Sequence, residues 1–516
     1  MAKTRLYLLH NHPVIPIANC QLCFLKNVPN ESTQPTESPQ RDNSRSKATL
    51  RKRVLFRLGA VFIGLLPLVI FELALIFTGW QPAGGVADPY VGFTEIRPLF
   101  VKNQAQTEYQ IASTRMPLFQ PDSFSVTKGS NEFRIFCVGG STVQGRPFSI
   151  ETAFSKWLEL SLEATDKSKD WKVVNCGGVS YASYRLAPIV DEILNYEPDL
   201  IVLYTGQNEF LEDREYKSIQ KTAPWIARTH ERLSASRTYS FLRQQFVSAE
   251  NNPAETERLP TDAEARLDYK GGLAKYKQDD VWKENVVAHF QYNLQRMITA
   301  AQTKGVPIIM MNPVCNLKDV APFKSVSDLK LQTQRLLDLP VTDRITKLES
   351  MLPNSVRNAE LHFQLGQAYL LVGEVNRART HLLTAKEEDI CPLRATEPIC
   401  AAIASVQSKF AVPMVDARDF FESQTPDRLP GHESLVDHVH PTIRGHQQIA
   451  GLLLEEMQRL KLVTGSTDVA QQTTLFEQHL QSLEFSYFQR AQDRLSGLQR
   501  WAEGEVTLEK PESDDD

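Results

Sequence analysis

The distribution of apolar positions along the chain divides it into three regimes. Leu58 to Phe77 is an almost unbroken apolar run of the length that crosses a hydrocarbon core as one helix. A long middle stretch alternates short apolar runs with segments of helical period. The last part, Thr467 to Trp501, carries one apolar stripe through Leu475, Leu480, Leu483, Phe485, Phe488, Leu495 and Leu498, which predicts a helix packed on the protein. In the middle stretch the apolar runs are Phe133–Val138, Trp171–Asn175, Asp199–Tyr204, Val306–Met311 and Val412–Asp416, rich in β-branched residues and bounded by turn residues. Between them, Phe154, Trp157, Leu158 and Leu162 repeat near helical spacing. Leu186, Ile189, Val190, Ile193 and Leu194 do the same, as do Val286, Phe290, Leu294, Met297 and Ile298. Strand–helix alternation predicts a five-stranded parallel sheet covered by helices on both faces, an α/β fold.

The run at Leu58–Phe77 has one blemish, Glu72, which costs up to about 3 kcal/mol at mid-membrane and less near an end. Its N-terminal flank holds Arg41, Arg45, Lys47, Arg51, Lys52, Arg53 and Arg57; the other flank has only Asp88, Glu95 and Arg97 beyond Trp80. Positive residues stay on the cytoplasmic side. The expectation is a single-pass anchor at 54–80, a cytoplasmic tail at 1–53 that reads as disordered, and everything beyond Trp80 on the non-cytoplasmic face. A cleaved signal peptide fits less well, because Trp80-Gln81-Pro82 is a poor small-residue cleavage site.

Composition adds little: 42% hydrophobic and 23% charged residues are ordinary for a globular chain of 516 residues. A net charge of −5 carries no excess of base for nucleic acid. The seven cysteines are too few and scattered for a disulfide framework, although Cys391 and Cys400 are close enough in sequence to pair. Cys20 and Cys23, with His10 and His12, lack a second tight ligand pair, so the tail is not read as a metal site. No metal or organic cofactor is expected.

In an open parallel sheet, function gathers at the carboxyl ends of the strands. That rim collects Gly140-Ser141-Thr142 after the first strand, the turn Asn175 to Ser180 after the second, and Gly206-Gln207-Asn208-Glu209 after the third. Far downstream, Asp437-His438-Val439-His440-Pro441 precedes the last core helix, near Ile443 to Leu460. A serine hydroxyl needs a base within reach, and the base an orienting carboxylate. Asp437 and His440, three residues apart, supply both; His438 is a second candidate base that the spacing favours less. The oxyanion of acyl transfer needs fixed donors. Ser141 N–H, a backbone N–H of the turn at Gly177 or Ser180, and the Asn208 amide are the candidates.

Serine, asparagine and Asp-x-x-His in this order resemble the SGNH (GDSL-like) hydrolase family over about half the chain. Gly139-Gly140-Ser141-Thr142 stands where the family has Gly-Asp-Ser, Gly206-Gln207-Asn208-Glu209 is similar to Gly-x-Asn-Asp, and Asp437-His438-Val439-His440-Pro441 matches Asp-x-x-His-Pro. The resemblance implies a flavodoxin-like α/β/α core, with Ser141 as nucleophile, His440 as base and Asp437 as its partner, and it implies a bacterial inner membrane with the catalytic part facing the periplasm. Counted from Asn175, the family's oxyanion glycine falls on Ser180. Gly140 and Glu209 also depart from the pattern.

The expected organisation is an extended linker or cap at 81–130, a first core part at 131–320 interrupted by 212–276, a helical insertion at 321–390, a second core part at 391–462, and a C-terminal helix with an acidic tail at 463–516. Segment 212–276 reads as a lid, a substrate wall or a surface decoration. Within Ser355–Asp389, Leu365, Gly366, Tyr369, Gly373, Ala378, Leu382 and Ala385 fall at the spacing of one tetratricopeptide repeat, a place for a protein partner. The function read from all this is a membrane-anchored ester hydrolase acting on O-acyl, for example O-acetyl, esters or acylated glycans. The alternatives are an O-acetyltransferase of exported polysaccharide using the same triad, and a silent membrane-tethered scaffold.

Overall fold

The computed structural model describes residues 43–78, 90–214, 258–268, 272–327 and 329–502, together with Asp88, Tyr216, 236–239 and Phe241. His10, His12, Cys20, Cys23, most of the expected cytoplasmic tail and the acidic tail lie outside the described residues. The chain divides into two units, Met1–Ile70 and Phe71–Asp516. Of the first, helix α1 (Asn43–Phe77) is described, and it continues into the second. Ile63, Leu66, Leu68, Val69, Ile70, Leu73, Ile76 and Phe77 are exposed along it. Among the described residues no helix is long and apolar enough to cross a membrane. The side chains of Leu58, Val61, Phe62 and Leu65, inside the expected span, lie outside that set.

Glu72 has a local explanation. Its carboxylate accepts from Ser236 Oγ at 2.8 Å and from the backbone N–H groups of Arg237 and Thr238 at 2.8 and 2.7 Å, while Phe71 meets Phe241 edge to face. A carboxylate so capped satisfies its lone pairs without water.

The core of the second unit is a five-stranded sheet of β5 (Glu132–Gly139), β6 (Asp170–Gly177), β7 (Leu200–Tyr204), β9 (Ile308–Met311) and β10 (Met414–Val415). All neighbours are parallel and the spatial order is β6-β5-β7-β9-β10, the flavodoxin-like arrangement of a doubly wound sheet. Successive strand residues point to opposite faces, and both faces are buried. Phe136, Val138, Val174, Cys176, Ile201, Leu203, Ile308 and Met310 pack on one side. The helices covering them are α4 (Ser183–Ile193), Asp280–Thr303 and Glu397–Phe410. Ile135, Cys137, Val173, Leu200, Val202, Ile309 and Met311 face the other way, against α3 (Phe154–Thr165) and the helix Ile443–Arg459. Two covered faces explain why the strands read as continuous apolar runs rather than alternations.

Two expectations need correction, and the stretch before β5, expected as a linker or cap, carries a small sheet of its own. β2 (Phe100–Lys102), β3 (Glu108–Ile111) and β4 (Ser123–Ser125) form an antiparallel sheet, and β1 (Gly92–Phe93) pairs with β8 (Arg258–Leu259). Such short strands carry too few residues for a period to show. Two charged side chains, the half-buried Glu192 and the buried Arg134, tie this layer to the core. Glu192 accepts from the N–H groups of Leu99 and Phe100, and the Arg134 guanidinium donates to Glu132 Oε1, Tyr196 O and Ser125 O beneath the Phe124 ring. The C-terminal helix is two helices, Val469–Ser482 and Phe485–Ala502, because the chain turns extended at Leu483. Cys391 and Cys400 are both free thiols; Cys391 is buried beside Ile390 and Leu393 and Cys400 packs against the sheet-covering helices. Residues 321–390 contain the helices Lys330–Gln334, Val341–Met351, Ala359–Leu371 and Val375–Glu387, the last two packed as an antiparallel hairpin.

Candidate active site

The carboxyl ends of β5 and β7 open the site. β5 stops at Gly139, and Ser141 begins a single buried helical turn, Ser141–Gln144. Its hydroxyl lies 2.7 Å from His440 Nε2, and His440 Nδ1 lies 2.6 Å from Asp437 Oδ2. A carboxylate only accepts, so Nδ1 carries the proton and Nε2 receives the Ser141 hydroxyl. The other Asp437 oxygen accepts from the backbone N–H groups of Val439 and His440 at 2.9 and 2.8 Å. Burial presses Asp437 toward protonation, but His440, His438 and these N–H groups prevail and hold its carboxyl well below the ordinary carboxylate range.

The Asp-x-x-His turn is fixed on all sides. Val436 N–H donates to His440 O, Asn316 N–H donates to His438 O, and Thr442 caps the following helix through Gly445 N–H. His438 does not reach Ser141 by any hydrogen bond; it sits edge-on to Phe323 with Nδ1 at 3.7 Å from Asp437 Oδ1.

Of the oxyanion donors, Gly177 is corrected. Its N–H is already given to Asn175 Oδ1 at 2.9 Å, and a Cβ at this glycine would lie 2.1 Å from Gln144 N. Gly177 therefore serves close packing under the nucleophile's turn. The neighbouring N–H groups of Gly178 and Val179 are spent on Gly139 O and Leu118 O. Ser180, with φ of 62°, lines the site, and among the described residues its N–H has no acceptor. Ser141 N–H is likewise unpaired, as expected at the start of a helical turn. Asn208 donates one amide hydrogen to Tyr181 O at 3.1 Å, which fixes the amide and leaves the second hydrogen. The glycine before the nucleophile now has a reason: a Cβ at Gly140 would stand 2.4 Å from Asn208 Nδ2. Glu209 is turned away from the reaction, accepting from Ser183 N–H and Oγ.

The site pocket has an empty volume of about 440 Å³ and is lined by Ser141, Ser180, Asn208, His440 and, among others, Arg146, Gln207, Leu211, Leu393, Leu498 and Trp501. The last four come from segments far apart in sequence. Leu211, Leu393 and Trp501 share one apolar cluster with Ala265, Leu267 and Tyr276, so the described part of segment 212–276 braces a wall of the site. Trp501 is held by its Nε1–H on Asp268 at 2.8 Å. Sequence reasoning missed Arg146, Leu498 and Trp501. Arg146 stood five residues from the nucleophile, which was its one available signal.

Two predictions arise here. Asn208→Ala removes one fixed donor and should lower kcat by about 10²–10³-fold, with a smaller change in KM, measured on an acetyl ester. The second concerns acid stability. Burial drives His438 down to about 4 and His446 down to about 3, from an ordinary 6.5. Both stay neutral in the fold and take up a proton on unfolding below 6.5, so the unfolded state binds more protons there. Stability is thus full above 6.5 and falls as pH drops toward the folded values, by up to ~1.4 kcal/mol per pH unit for each. His446 Nδ1 accepts from Phe154 N–H, a role that an Asn oxygen can take. Thermal melts between pH 7 and about pH 4 should therefore show a flatter acid limb for His446→Asn; an unchanged slope counts against the buried neutral histidine.

No protein-family model and no curated protein matches the chain. Among solved structures it is similar to a lipase/acylhydrolase from Enterococcus faecalis, at 12% identity and TM-score 0.31 over 65% of this chain and 99% of that one. It is similar to an acetylxylan esterase from Geobacillus stearothermophilus at 12% identity and TM-score 0.31, over 64% and 95%. A lipolytic protein of the G-D-S-L family from Desulfitobacterium hafniense stands at 10% identity and TM-score 0.28, over 63% and 98%.

Proposed function

We propose that the chain is a serine esterase that cleaves O-acyl esters through an acyl-enzyme on Ser141. The carrying observation is the continuous relay Ser141 Oγ, His440 Nε2, His440 Nδ1, Asp437 Oδ2 beside unspent donors. The Ser141 oxygen attacks the ester carbonyl as its proton passes to His440 Nε2. The oxyanion is met by the N–H groups of Ser141 and Ser180 and by the Asn208 amide. Collapse expels the alcohol, which takes the proton back from Nε2, and water attacks the acyl-enzyme with His440 again as base. Water and a sugar hydroxyl are chemically equivalent acceptors at that last step, so an O-acetyltransferase of exported glycans uses the same residues.

The proposed setting is a membrane surface, with the catalytic unit on the non-cytoplasmic side. The apolar run Leu58–Phe77, its basic N-terminal flank and the exposed apolar side chains of α1 support this reading. The test is labelling of the full chain with a fluorophosphonate probe. A single adduct at Ser141 is expected, lost in Ser141→Ala. A folded chain that takes no label would overturn the esterase and favour the tethered scaffold, with the helical insertion as its partner surface.

A further inference from the structure

The site contains a cation that the reaction described above does not use. Arg146 lines the pocket of Ser141 and His440. Among the described residues its side chain makes no ion pair and no hydrogen bond, and its Nε is sealed from solvent without an acceptor. Arg146 is half-buried, and the fully buried arginines of this unit have partners even where, as in Arg115 and Arg214, their Nε is also unpaired: Arg185 is matched by Glu212, Arg134 by Glu132 and backbone carbonyls, and Arg394 by the carbonyls of Asn316 and Val320. An arginine that cannot shed its proton, held in a partly dry site with nothing to bind, is an expensive arrangement. Nor is its position loose. Arg494, on the C-terminal helix, donates to Pro147 O and Phe148 O, and the Tyr487 hydroxyl receives Ser149 N–H at 3.0 Å and meets Thr152 Oγ1 at 2.8 Å. The same helix brings Leu498 and Trp501 to the pocket wall. Gln207, 5% exposed and lining the same pocket, adds a buried Nε2 with no acceptor at hydrogen-bonding distance among the described residues.

We infer that Arg146, with Gln207 in the same pocket, is an anion subsite that binds a carboxylate on the substrate, so that the preferred esters are O-acylated acidic compounds such as acylated uronic acids. The inference rests on the esterase reading and names its substrate class. A single guanidinium matches a single negative charge, and its planar fork takes a carboxylate through two parallel hydrogen bonds. Asp437 does not fill that role, since both its oxygens are committed to the His440 turn. Burial and the nearby Arg494 work against the charge of Arg146 and outweigh the attraction of Asp437, and a bound carboxylate opposes both.

The experiment compares a mono-O-acetylated uronic acid with its methyl ester on the full chain. The acid should be preferred in kcat/KM by about 30-fold, the weight of a charge-assisted pair in a shielded site. In Arg146→Gln that ratio should fall to about 1, and in Arg146→Lys, which keeps the charge without the fork, it should fall between the two. Equal kcat/KM for acid and methyl ester in the unaltered chain overturns the subsite. So does a ratio that survives Arg146→Gln, because Arg146 then acts only on the triad. Binding separates this inference from the esterase reading. The free uronate should raise the melting temperature of Ser141→Ala and the neutral sugar should not, with the shift absent when Arg146→Gln is added. If neither ester is cleaved but this shift appears, the subsite stands and the esterase reading fails; if neither ester is cleaved and there is no shift, the subsite fails as well.

Discussion

Ser141→Ala should lower acyl-ester cleavage by about 10⁴-fold or more while leaving the melting temperature nearly unchanged. Among the described residues it is the Ser141 hydroxyl that is hydrogen-bonded to His440 Nε2, and the lost atom is small. Its single side-chain hydrogen bond goes to His440, so little packing depends on it. What remains in the variant is binding and the oxyanion donors, which stabilise attack by water only weakly without an aligned base. Steady-state rates on an aryl acetate, paired with a thermal melt, check both halves of the expectation. A variant that keeps a tenth of the activity would place the nucleophile elsewhere.

Asp437→Asn should cost about 10⁴-fold in kcat, and here the reason lies in the backbone. One oxygen of Asp437 is pinned by the N–H groups of Val439 and His440. An asparagine must keep its carbonyl oxygen there, which turns its NH₂ toward His440 Nδ1. Nδ1 then has to accept, and the ring proton moves to Nε2, facing the Ser141 hydroxyl as a donor. The geometry survives and the base is lost. The substitution should therefore affect kcat far more than KM, and Asp437→Ala, which forces no tautomer, should be no worse. If Asp437→Asn loses less than about tenfold, the tautomer of His440 is set by some other group.

The core and the meeting of Ser141, His440 and Asp437 were legible because they rest on local signals. β5, β7 and β9 are short apolar runs ended by turn residues, and the strand ends carry Ser141 and Asn208 to one rim by topology alone. Asp437 and His440 were legible because a three-residue spacing already places a carboxylate beside an imidazole. The oxyanion donor of the second turn was not. Gly177 and Ser180 differ only in where their N–H groups go, and the capture of the Gly177 N–H by Asn175 Oδ1 depends on a side-chain conformation that no spacing encodes. The small antiparallel sheet at 100–125 was missed because its strands are too short to show a period and because its ties to the core, Glu192 on the Leu99 and Phe100 N–H groups and Arg134 on Ser125 O, come from residues distant in sequence. The pocket wall was beyond reach for a similar reason: Leu211, Leu393 and Trp501 meet across nearly three hundred positions of sequence. The helix break at Leu483 was hidden by an apolar stripe that continues through it.

An acyl-enzyme on Ser141 can be caught by mixing the chain with p-nitrophenyl acetate and following the first turnover. The expected result is a burst of p-nitrophenolate equal to one per chain, with one acetyl group found by mass spectrometry on the peptide that contains Ser141, and neither in Ser141→Ala. Release of p-nitrophenolate that Ser141→Ala leaves intact, or an acetyl group found on another residue, would contradict it.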